Sequence, residues 1–494
     1  MAITRISTFA FSGIDPISVE IQVQISRGLP AFTIVGLADK AVTESRERVK
    51  AALISMGIAL PPKRILINLS PADIIKEGTH YDLPIALGLL VALDIIPEEM
   101  LLNYAAVGEL SLDGKVSAVN NVISATIGAV SQEKGLICPA IQGSEALLGG
   151  DIDILAAPDL LSIIQHFLGK QILTPPKMLQ APNTSHDYDL FDIKGMESAK
   201  RALEIAASGG HSMLMIGPPG SGKSMLATRL PSILPDLTAQ QSLEVTRIYS
   251  AAGLLNGSVP IRQPPFRNPH HSASQVSLTG GGIKVKPGEI SLAHHGILFL
   301  DEFPEFTKNS LEALRQPLEN GKISIARAMN HITFPAKFQL IAAMNPCRCG
   351  YMGDTERECH RVPRCGEEYT RKISGPLLDR IDIVTYIEPI PPRDIVSIPN
   401  GEKSVKVAKR VKKAREKQFE RQNNLNCELN NNQISLSASV TEIVEKASMQ
   451  LRLSARGITR LLRVALTIAD LSEKDEIDIS SITEALSYRK RNLL

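Results

Sequence analysis

The run MLMIGPPGSGKSMLA, residues 213–227, constrains the fold more than any other feature of this 494-residue sequence. An apolar strand leads into the pattern GxxxxGKS at residues 217–224, and a helix-like stretch follows it. This is the Walker A pattern of a phosphate-binding loop, which needs a strand before it and a helix after it. The sequence therefore predicts a nucleotide-binding core of the α/β type.

The residues of this loop have predicted roles that follow from phosphate chemistry. Glycines allow backbone N–H groups to turn inward around phosphate oxygens, and the start of the helix adds a partial positive charge. Lys223 is expected to reach the β- and γ-phosphates, and the Ser224 hydroxyl is expected to ligate Mg²⁺. The residues predicted to hold ATP and Mg²⁺ are Gly217, Pro218, Pro219, Gly220, Ser221, Gly222, Lys223, Ser224 and Asp301.

Two further apolar strands end in residues that are suited to hydrolysis. The run GILFLDEF closes with Asp301, a predicted Mg²⁺ ligand, and Glu302, the predicted general base for the attacking water. The run FQLIAAMNP ends at Asn345, whose amide can orient that water or touch the γ-phosphate. The order of the three runs is that of Walker A, Walker B and sensor 1 in AAA+ proteins.

Three arginines are candidates for offsetting the charge that develops on the γ-phosphate. Arg380 in SGPLLDRIDI is predicted to be an arginine finger that acts in trans, with an ion pair to Asp379 or Asp382 as the alternative. Arg456 in LSARGITRLLRVALTIADL is the predicted sensor 2 residue, and Arg460 is a rival for that role. The predicted catalytic residues are Glu302, Lys223, Asn345, Arg380 and Arg456.

The pattern along the chain indicates a multidomain α/β protein. Residues 1–170 alternate strand-like and short helical runs, and residues 171–190 form a polar, proline-bearing linker. An α/β core with a mostly parallel sheet is predicted over residues 191–390. Residues 391–494 lack a strand pattern and are predicted to form a C-terminal helical lid, with a basic helical stretch over residues 405–421.

Charge and composition limit the kinds of partner. The formal net charge is +2, so any binding of a polyanion must come from local patches. Aromatic residues make up 4% of the chain with no Trp, which disfavours base stacking as the main grip on nucleic acid. The longest apolar stretch, residues 83–96, is too short to span a bilayer, and the N-terminus lacks the features of a signal peptide. We therefore expect a cytoplasmic protein without membrane contact.

Four of the six cysteines fall in one short segment directly after Asn345. They are Cys347, Cys349, Cys359 and Cys365. Four thiolates can close a tetrahedral Zn²⁺ site, so the segment predicts structural zinc. His360 is an alternative to Cys359 as a ligand, and reduced thiols on a loop without metal are the other alternative. The histidine pairs 270–271 and 294–295 are expected to serve packing or loops rather than metal binding.

Several longer runs extend the pattern over nearly the whole chain. They are KEGTHYDLPIALGLL, KRALEIAASGGHSMLMIGPPGSGKSMLATRLPSILP, FRNPHHSAS, GGGIKVKPGEISLAHHGILFLDEFPEF, AAMNPCRCGY and SGPLLDRIDI. In these runs the sequence resembles the magnesium-chelatase-like AAA+ family, and within it the YifB/ComM group. The resemblance implies an N-terminal α+β domain similar to the Lon protease domain and its ribosomal-S5-like relatives, an AAA+ P-loop core and a helical lid. It also implies a hexameric ring and a DNA helicase that drives branch migration.

Two inserts in the core are expected from the long intervals between the motifs. The interval before Walker B holds FRNPHHSASQVSLTGGGIKVKPGE, and the interval before Asn345 holds ISIARAMNHITFPAKF, whose two strand-like runs suit a β-hairpin. They resemble the helix-2 insert and the pre-sensor-1 hairpin of AAA+ rings, which face the pore and here would grip single-stranded or branched DNA. The residues expected to contact the DNA backbone are Lys284, Lys286, Arg327, Asn330, His331 and Lys337.

The first domain is not expected to be a protease. Where the resemblance to Lon would place the catalytic Ser and Lys, this chain has His80 and Ile123, and Thr79 has no evident Lys or His partner. Two rival functions stay open at this point. One is a chelatase subunit that inserts Mg²⁺ into a porphyrin. The other is a protein-remodelling ATPase, for which aromatic pore residues are expected and Phe266 is the nearest candidate.

Overall fold

A computed structural model describes residues 3–179, 188–255, 259–282, 285–326, 331–352, 359–389, 398–430 and 433–489. Within these ranges, no helix is long and apolar enough to cross a membrane. The chain is a mixed α/β protein with a parallel sheet, as the sequence predicts.

The N-terminal region alternates strands and helices. Its strands are β1 (Thr4–Ser12), β2 (Asp15–Ser26), β3 (Ala31–Val35), β4 (Arg64–Ser70), β5 (Tyr104–Ala106), β6 (Glu109–Leu110), β7 (Val116–Ser117), β8 (Gly135–Pro139) and β9 (Ile154–Ala157). Its helices are α1 (Lys40–Ser55), α2 (Asp82–Ala92), α3 (Glu98–Leu101), α4 (Val122–Ser131), α5 (Gly143–Ala146) and α6 (Leu160–Phe167). A mixed sheet joins seven of these strands in the order β3-β4-β2-β1-β5-β8-β9. The apolar helix α2 packs on β1 and β2, because it is hydrophobic on every side and has to be buried.

The central region carries the Walker motifs. Its strands are β10 (Met213–Ile216), β11 (Phe266–Arg267), β12 (Gly280–Gly281), β13 (Lys286–Pro287), β14 (Ile297–Leu300), β15 (Lys322–Ala326), β16 (His331–Pro335), β17 (Gln339–Met344) and β18 (Ile383–Tyr386). Its helices are α7 (Glu197–Gly209), α8 (Lys223–Ala227), α9 (Ala239–Ala252), α10 (Gln275–Thr279), α11 (Glu289–Leu292), α12 (Lys308–Glu312), α13 (Arg315–Asn320), α14 (Arg364–Thr370) and α15 (Gly375–Leu378).

Five of these strands form one sheet in the order β11-β14-β17-β10-β18. Every pairing in it is parallel, so the carboxyl ends of all five strands lie along one edge. Strands β10, β14 and β17 are buried along their whole length, which explains why they appear in the sequence as unbroken apolar runs. This edge is where an open α/β sheet binds its ligands.

Two small antiparallel pairs project from the central sheet. The strand-like runs expected on either side of residues 329–330 form the hairpin β15–β16, in which Ala326 pairs with His331. The pair β12–β13 belongs to the insert before Walker B. A side-chain carbon on Gly280 would lie 3.2 Å from the Ile325 side chain, so the two inserts pack against each other.

The described residues after position 398 are helical where they are regular. The helices are α16 (Ser404–Gln422), α17 (Ala438–Gln450), α18 (Ala455–Leu471) and α19 (Ile479–Ser487). Arginines of the basic helix α16 hold this region to the rest of the chain. Arg410 Nε donates to Glu204 Oε1 at 2.5 Å, Arg421 pairs with Asp470 at 2.8 Å, and Arg415 donates to the Ala207 carbonyl. These guanidinium groups therefore serve packing between α16, α7 and α18 rather than an open basic surface.

The N-terminal region also docks on the central region. The β1–β2 turn lies against the hairpin, since a side-chain carbon on Gly13 would sit 3.2 Å from Ile332. Arg247 of α9 donates to the Ile14 carbonyl at 2.8 Å and pairs with Asp15 at 3.2 Å. Ile14 is buried in the hydrophobic cluster of the central region.

Candidate nucleotide site and cysteine cluster

The loop at residues 217–224 connects β10 to α8 at the carboxyl edge of the sheet. Lys223 Nζ lies inside the loop, 2.7 Å from the Gly217 carbonyl and 2.8 Å from the Pro218 carbonyl. Burial lowers the pKa of Lys223, while the nearby carboxylates of Asp301 and Glu302 oppose that shift. A buried amine enclosed by carbonyls and backbone N–H groups is suited to holding phosphate oxygens.

The Walker B residues follow β14 at the same edge of the sheet, with β17 lying between β14 and β10. Ser224 Oγ donates to Asp301 Oδ2 at 2.5 Å, so a hydroxyl and a carboxylate oxygen converge as hard ligands for Mg²⁺. Glu302 has a backbone φ of 50°, a left-handed conformation that is uncommon for a residue with a side chain. Such strain is concentrated at functional sites.

Two other side chains face these groups. Asn345 follows β17, and its Oδ1 accepts from Lys223 Nζ at 3.2 Å. The ring of His271 lies against the general-base candidate, with Nδ1 3.1 Å from Glu302 Oε2. Lys223, Ser224, Asp301, Glu302 and Asn345 are thus brought together, and they fit ATP with Mg²⁺. The sequence did not assign His271, because nothing in its spacing links the segment after β11 to the end of β14.

The three candidate arginines lie toward the amino ends of the parallel strands, at the edge of the sheet opposite the nucleotide site. Arg380 comes just before β18, which runs parallel to β10, so Arg380 is at the amino edge while the Walker A loop is at the carboxyl edge. Burial lowers the pKa of Arg380, and the positive charges of Arg315, Arg456 and Arg460 lower it further. The structure therefore groups Arg380 with both sensor 2 candidates, away from this chain's own Walker A loop.

The charged partners of these arginines differ from the expected ones. Arg380 pairs with Glu319, not with either flanking aspartate, and Arg460 Nη2 lies 3.7 Å from Asp379. The buried Asp382 accepts from the Ser212 backbone N–H at 3.2 Å. Arg380 Nε and Arg460 Nη1 are buried without a hydrogen-bond partner among the described residues. A buried guanidinium N–H without a hydrogen-bond partner costs free energy. Such donors are therefore suited to bonding with a group that this single chain does not supply.

The cysteine segment forms a compact cluster. The Sγ atoms of Cys347, Cys349 and Cys365 all lie within 4.8 Å of one another, and those of Cys347 and Cys349 are 3.1 Å apart. Cys359 is partly exposed, and its Sγ lies outside the group of three sulfurs that meet within 4.8 Å. The distance is far above a disulfide bond, so these are free thiols. His360 is exposed and does not join this cluster.

A second cluster, formed by Glu244 with His294 and His295, is bonded differently. The Lys337 backbone N–H donates to His294 Nδ1 at 3.0 Å, so the proton of the neutral ring is on Nε2. That Nε2 is 3.1 Å from Glu244 Oε2, and His295 Nε2 is 2.8 Å from the same oxygen. Burial lowers the pKa of His294 to about 4. The arrangement is a hydrogen-bonded triad whose three ligand atoms lie within 4.8 Å of one another, and the packing role expected for this pair stays a prediction.

The comparisons with known proteins cover the whole chain. Residues 21–142 match the family model described as subunit ChlI of Mg-chelatase, residues 189–395 match magnesium chelatase, subunit ChlI, and residues 401–489 match its C-terminal part. The chain is 42% identical over 495 residues to YifB of Escherichia coli (strain K12), covering 99% of this chain and 97% of that protein. The chain belongs to the YifB/ComM family.

Another member of this YifB/ComM family has a name that refers to a biological process. The competence protein ComM of Haemophilus influenzae is 41% identical over 499 residues, covering 99% of this chain and 98% of that protein. A more distant similarity, 24% over 205 residues, joins 42% of this chain to 24% of the DNA replication licensing factor mcm7-A of Xenopus laevis. Membership of this family makes the chain a magnesium-chelatase-like AAA+ ATPase.

Several expected DNA contacts can be located in this YifB/ComM member. Lys286 on β13 and His331 on β16 are exposed, whereas Lys284, Arg327 and Asn330 lie outside the described residues. Lys337 comes after the hairpin, and its Nζ pairs with Glu428 Oε1 at 2.8 Å. Lys337 thus pairs with the C-terminal helical region, away from the tip of the hairpin.

Other expectations for the YifB/ComM chain concern side chains outside the nucleotide site. Phe266 is half-buried and stacks on Phe299 with ring centroids 5.9 Å apart, so it packs in the core instead of facing a pore. His80 Nε2 bonds to the Phe9 carbonyl at 2.8 Å, and Ile123 is fully buried. Thr79 bonds to Glu109. Thr79 and His80 are thus engaged in hydrogen bonds and Ile123 in packing, and the expectation that this region is not a protease stays a prediction.

Proposed function

We propose that this protein is an ATP-hydrolysing ring motor that acts on single-stranded or branched DNA. The observation that carries the proposal is the position of the hairpin β15–β16. The chain enters this hairpin from the Walker B segment and leaves it into β17, whose end carries Asn345. A change of nucleotide at the Walker motifs can therefore be transmitted to the hairpin through one short strand.

The proposed hydrolysis uses the groups at the carboxyl edge of the sheet. Lys223 and the backbone N–H groups of the loop bind the phosphates, and Ser224 with Asp301 holds Mg²⁺. Glu302 takes the proton from the attacking water, and Asn345 orients that water. Mg²⁺ would neutralise charge on the β- and γ-phosphates when ATP is bound.

The proposed arginines act on the nucleotide of a neighbouring subunit. Arg380 lies at the edge of the sheet opposite its own Walker A loop, so its own ATP is out of reach. Arg456 and Arg460 lie near Arg380, which supports the same assignment for sensor 2. A ring, which we propose to be a hexamer, would place these arginines against the next subunit's γ-phosphate.

The proposed DNA surface is formed by the two inserts. They pack on each other at Gly280 and Ile325 and present the exposed Lys286 and Lys322. Contacts of lysine with phosphate do not depend on base sequence, which suits a translocating motor. The relatives named as a competence protein and as a DNA replication licensing factor support a nucleic-acid substrate.

A magnesium chelatase activity is the second candidate, because the matching family models carry that description. Protein remodelling is less favoured, since Phe266, the nearest pore aromatic in the sequence, packs against Phe299. For the cysteine cluster we propose a structural Zn²⁺ in addition to ATP and Mg²⁺. Clustered thiols are the ligands that zinc prefers.

The decisive experiment measures ATPase activity of the purified protein without DNA and with single-stranded, duplex and branched DNA. We expect stimulation by single-stranded or branched DNA, loss of nucleotide binding in Lys223→Ala, and retained binding without turnover in Glu302→Gln. ATPase activity that none of the three DNAs changes would contradict the DNA motor. Stimulation by a chelatase partner and porphyrin instead would favour the second candidate.

A further inference from the structure

The cysteine cluster lies directly against the phosphate-binding loop. We call residues 347–350 the cysteine turn. Gly350, at its end, is buried and has a backbone φ of 88°. A side-chain carbon built on Gly350 would lie 2.6 Å from Pro219 Cδ and 2.7 Å from Pro219 Cγ. Since real side-chain carbons are never that close, only glycine allows the cysteine turn to approach Pro219 of the Walker A loop in this way.

The sulfurs of this cluster are arranged as metal ligands. A tetrahedral zinc site with Zn–S distances of about 2.3 Å separates its sulfurs by roughly 3.8 Å. Three of the sulfurs lie within 4.8 Å of one another, so small side-chain movements would close the site. Hydrogen bonds from the backbone also reach Cys347 Sγ, from Gly350 and Met352, and Cys349 Sγ, from Tyr351. Backbone N–H groups that donate to a coordinating sulfur also fix its orientation toward a metal.

Cys365 connects the cysteine turn to α14, and Cys359 lies six positions before it in the sequence. Cys365 is in the first turn of α14, which packs on the segment after the cysteine turn because a side-chain carbon on Gly366 would lie 2.7 Å from Met352 Sδ. Farther along α14, the buried Tyr369 belongs to the same hydrophobic cluster as Phe303, and Lys372, just after α14, donates to Glu305 at 3.1 Å. A metal held by the four cysteines would thus join the Walker A side and the Walker B side of the nucleotide site.

The middle of the cysteine turn is exposed to solvent. Arg348 and Cys349 are exposed, and the backbone bond found within the turn runs from the Gly350 N–H to the Cys347 carbonyl at 3.0 Å. A metal cross-link removes conformational freedom that such a short segment cannot remove by packing.

We infer that the four cysteines bind one Zn²⁺ whose function is to hold the cysteine turn against Pro219, so that the metal supports the geometry of the phosphate-binding loop. This inference rests on the zinc assignment and the ATPase site proposed above. It makes the zinc a determinant of nucleotide affinity, although no cysteine contacts the nucleotide. Along the chain, the nearest residue proposed to contact the nucleotide is Asn345, two positions before Cys347.

The test compares the full-length wild type with two pairs of variants. Cys349→Ser removes an exposed ligand, and Cys427→Ser is its control because Cys427 lies outside the cluster. Gly350→Ala introduces a clash with Pro219. Its control is Gly169→Ala, a glycine with φ of 69° and no atom within 4 Å of the added carbon. Each protein is assayed for zinc by elemental analysis, for affinity by titration with a fluorescent ATP analogue, and for folding by thermal unfolding.

We expect about one zinc per chain in the wild type and in both controls. Cys349→Ser should lose the zinc, and Gly350→Ala should keep it. Both should bind the ATP analogue about tenfold more weakly, since small displacements of a binding loop have effects of this order or larger. If both controls bind the ATP analogue as the wild type does, then neither the loss of any thiol nor a substitution at any glycine with positive φ explains the weaker binding.

Each contrary result identifies a different failure. A wild type purified without chelator that contains no metal would overturn the zinc site and the support it provides. The wild type could instead contain zinc while Cys349→Ser and Gly350→Ala keep the wild-type nucleotide affinity. That result would leave the zinc site standing and overturn only its role in supporting the phosphate-binding loop. A wild type that holds zinc but binds no ATP analogue would instead contradict the proposed ATPase function.

Discussion

At the scale of single residues, the contact between Glu302 and His271 bears directly on the proposed hydrolysis of ATP. Glu302 has a left-handed backbone conformation, and its Oε2 lies 3.1 Å from Nδ1 of the His271 ring. A general base works only if its oxygen is aimed at the water, so a residue that holds this carboxylate affects the rate without touching the phosphates. His270, its neighbour, bonds to Ser272 at 2.8 Å and has no such contact with Glu302.

Substituting His271 by Ala should lower the turnover number for ATP about tenfold and leave KM within about twofold, because only the orientation of Glu302 is lost. His271→Asn should recover part of the rate, since an amide can still donate to the carboxylate. Steady-state ATPase kinetics provide the measurement, and His270→Ala serves as the matched control. Equal losses in the two alanine variants would speak against a specific role for His271.

At the scale of elements, the hairpin β15–β16 and the pair β12–β13 form one surface. The pair packs on the hairpin, and the hairpin in turn packs on the β1–β2 turn of the N-terminal region through Ile332 and Gly13. Movement of the hairpin is therefore limited by two neighbours. The basic helix α16 is a weaker candidate for DNA binding, since Lys413 pairs with Glu473 and Lys417 pairs with Asp475.

Replacing Lys284, Lys286 and Arg327 together by Ala should leave ring assembly and basal ATPase nearly unchanged. Stimulation by DNA should be lost, and the dependence of log affinity on log salt should become shallower by about 2 for single-stranded DNA, since each contact contributes roughly 0.7. Fluorescence anisotropy at several salt concentrations measures this slope. A triple variant at the exposed Lys50, Lys63 and Lys170 controls for loss of charge. If both triple variants bind DNA alike, the inserts are not the DNA surface.

At the scale of the whole molecule, the two halves of the proposed active site lie on opposite edges of one sheet. The Walker A loop follows β10, and Arg380 precedes the parallel neighbour β18. One chain cannot bring both to the same phosphate, because a parallel strand of four residues separates them by its full length. The geometry thus favours a mechanism in which subunits must assemble before ATP can be turned over.

Mixing Arg380→Ala subunits with Lys223→Ala subunits should restore part of the ATPase activity that each variant lacks alone. Each mixed interface can combine an intact Walker A loop with an intact arginine, whereas no interface in the separate variants can. Activity is measured as a function of mixing ratio, with Arg380→Ala plus wild type as the reference. Mixed assemblies that form by size-exclusion chromatography yet stay inactive would contradict the action of Arg380 across subunits.

The sequence by itself determined the elements whose signals are local. The Walker A loop, the strand before Asp301, the strand before Asn345 and the hairpin around residues 329–330 could all be derived from short runs of residue type. The basic stretch at 405–421 became the helix α16, Ser404–Gln422, with nearly the same limits. Apolar runs, glycines and charge spacing act within a few residues, so a single sequence suffices to read them.

Only the tertiary structure decided which distant groups meet. It placed Arg456 and Arg460 beside Arg380, paired Lys337 with Glu428, and packed Phe266 on Phe299 instead of into a pore. It also brought His271 to Glu302 and Gly350 to Pro219. These contacts depend on the order of the strands and on how the loops pack. Neither of these is encoded in the residue pattern of a short segment. That is why the nucleotide-binding residues could be predicted from the sequence, while their supporting contacts could not.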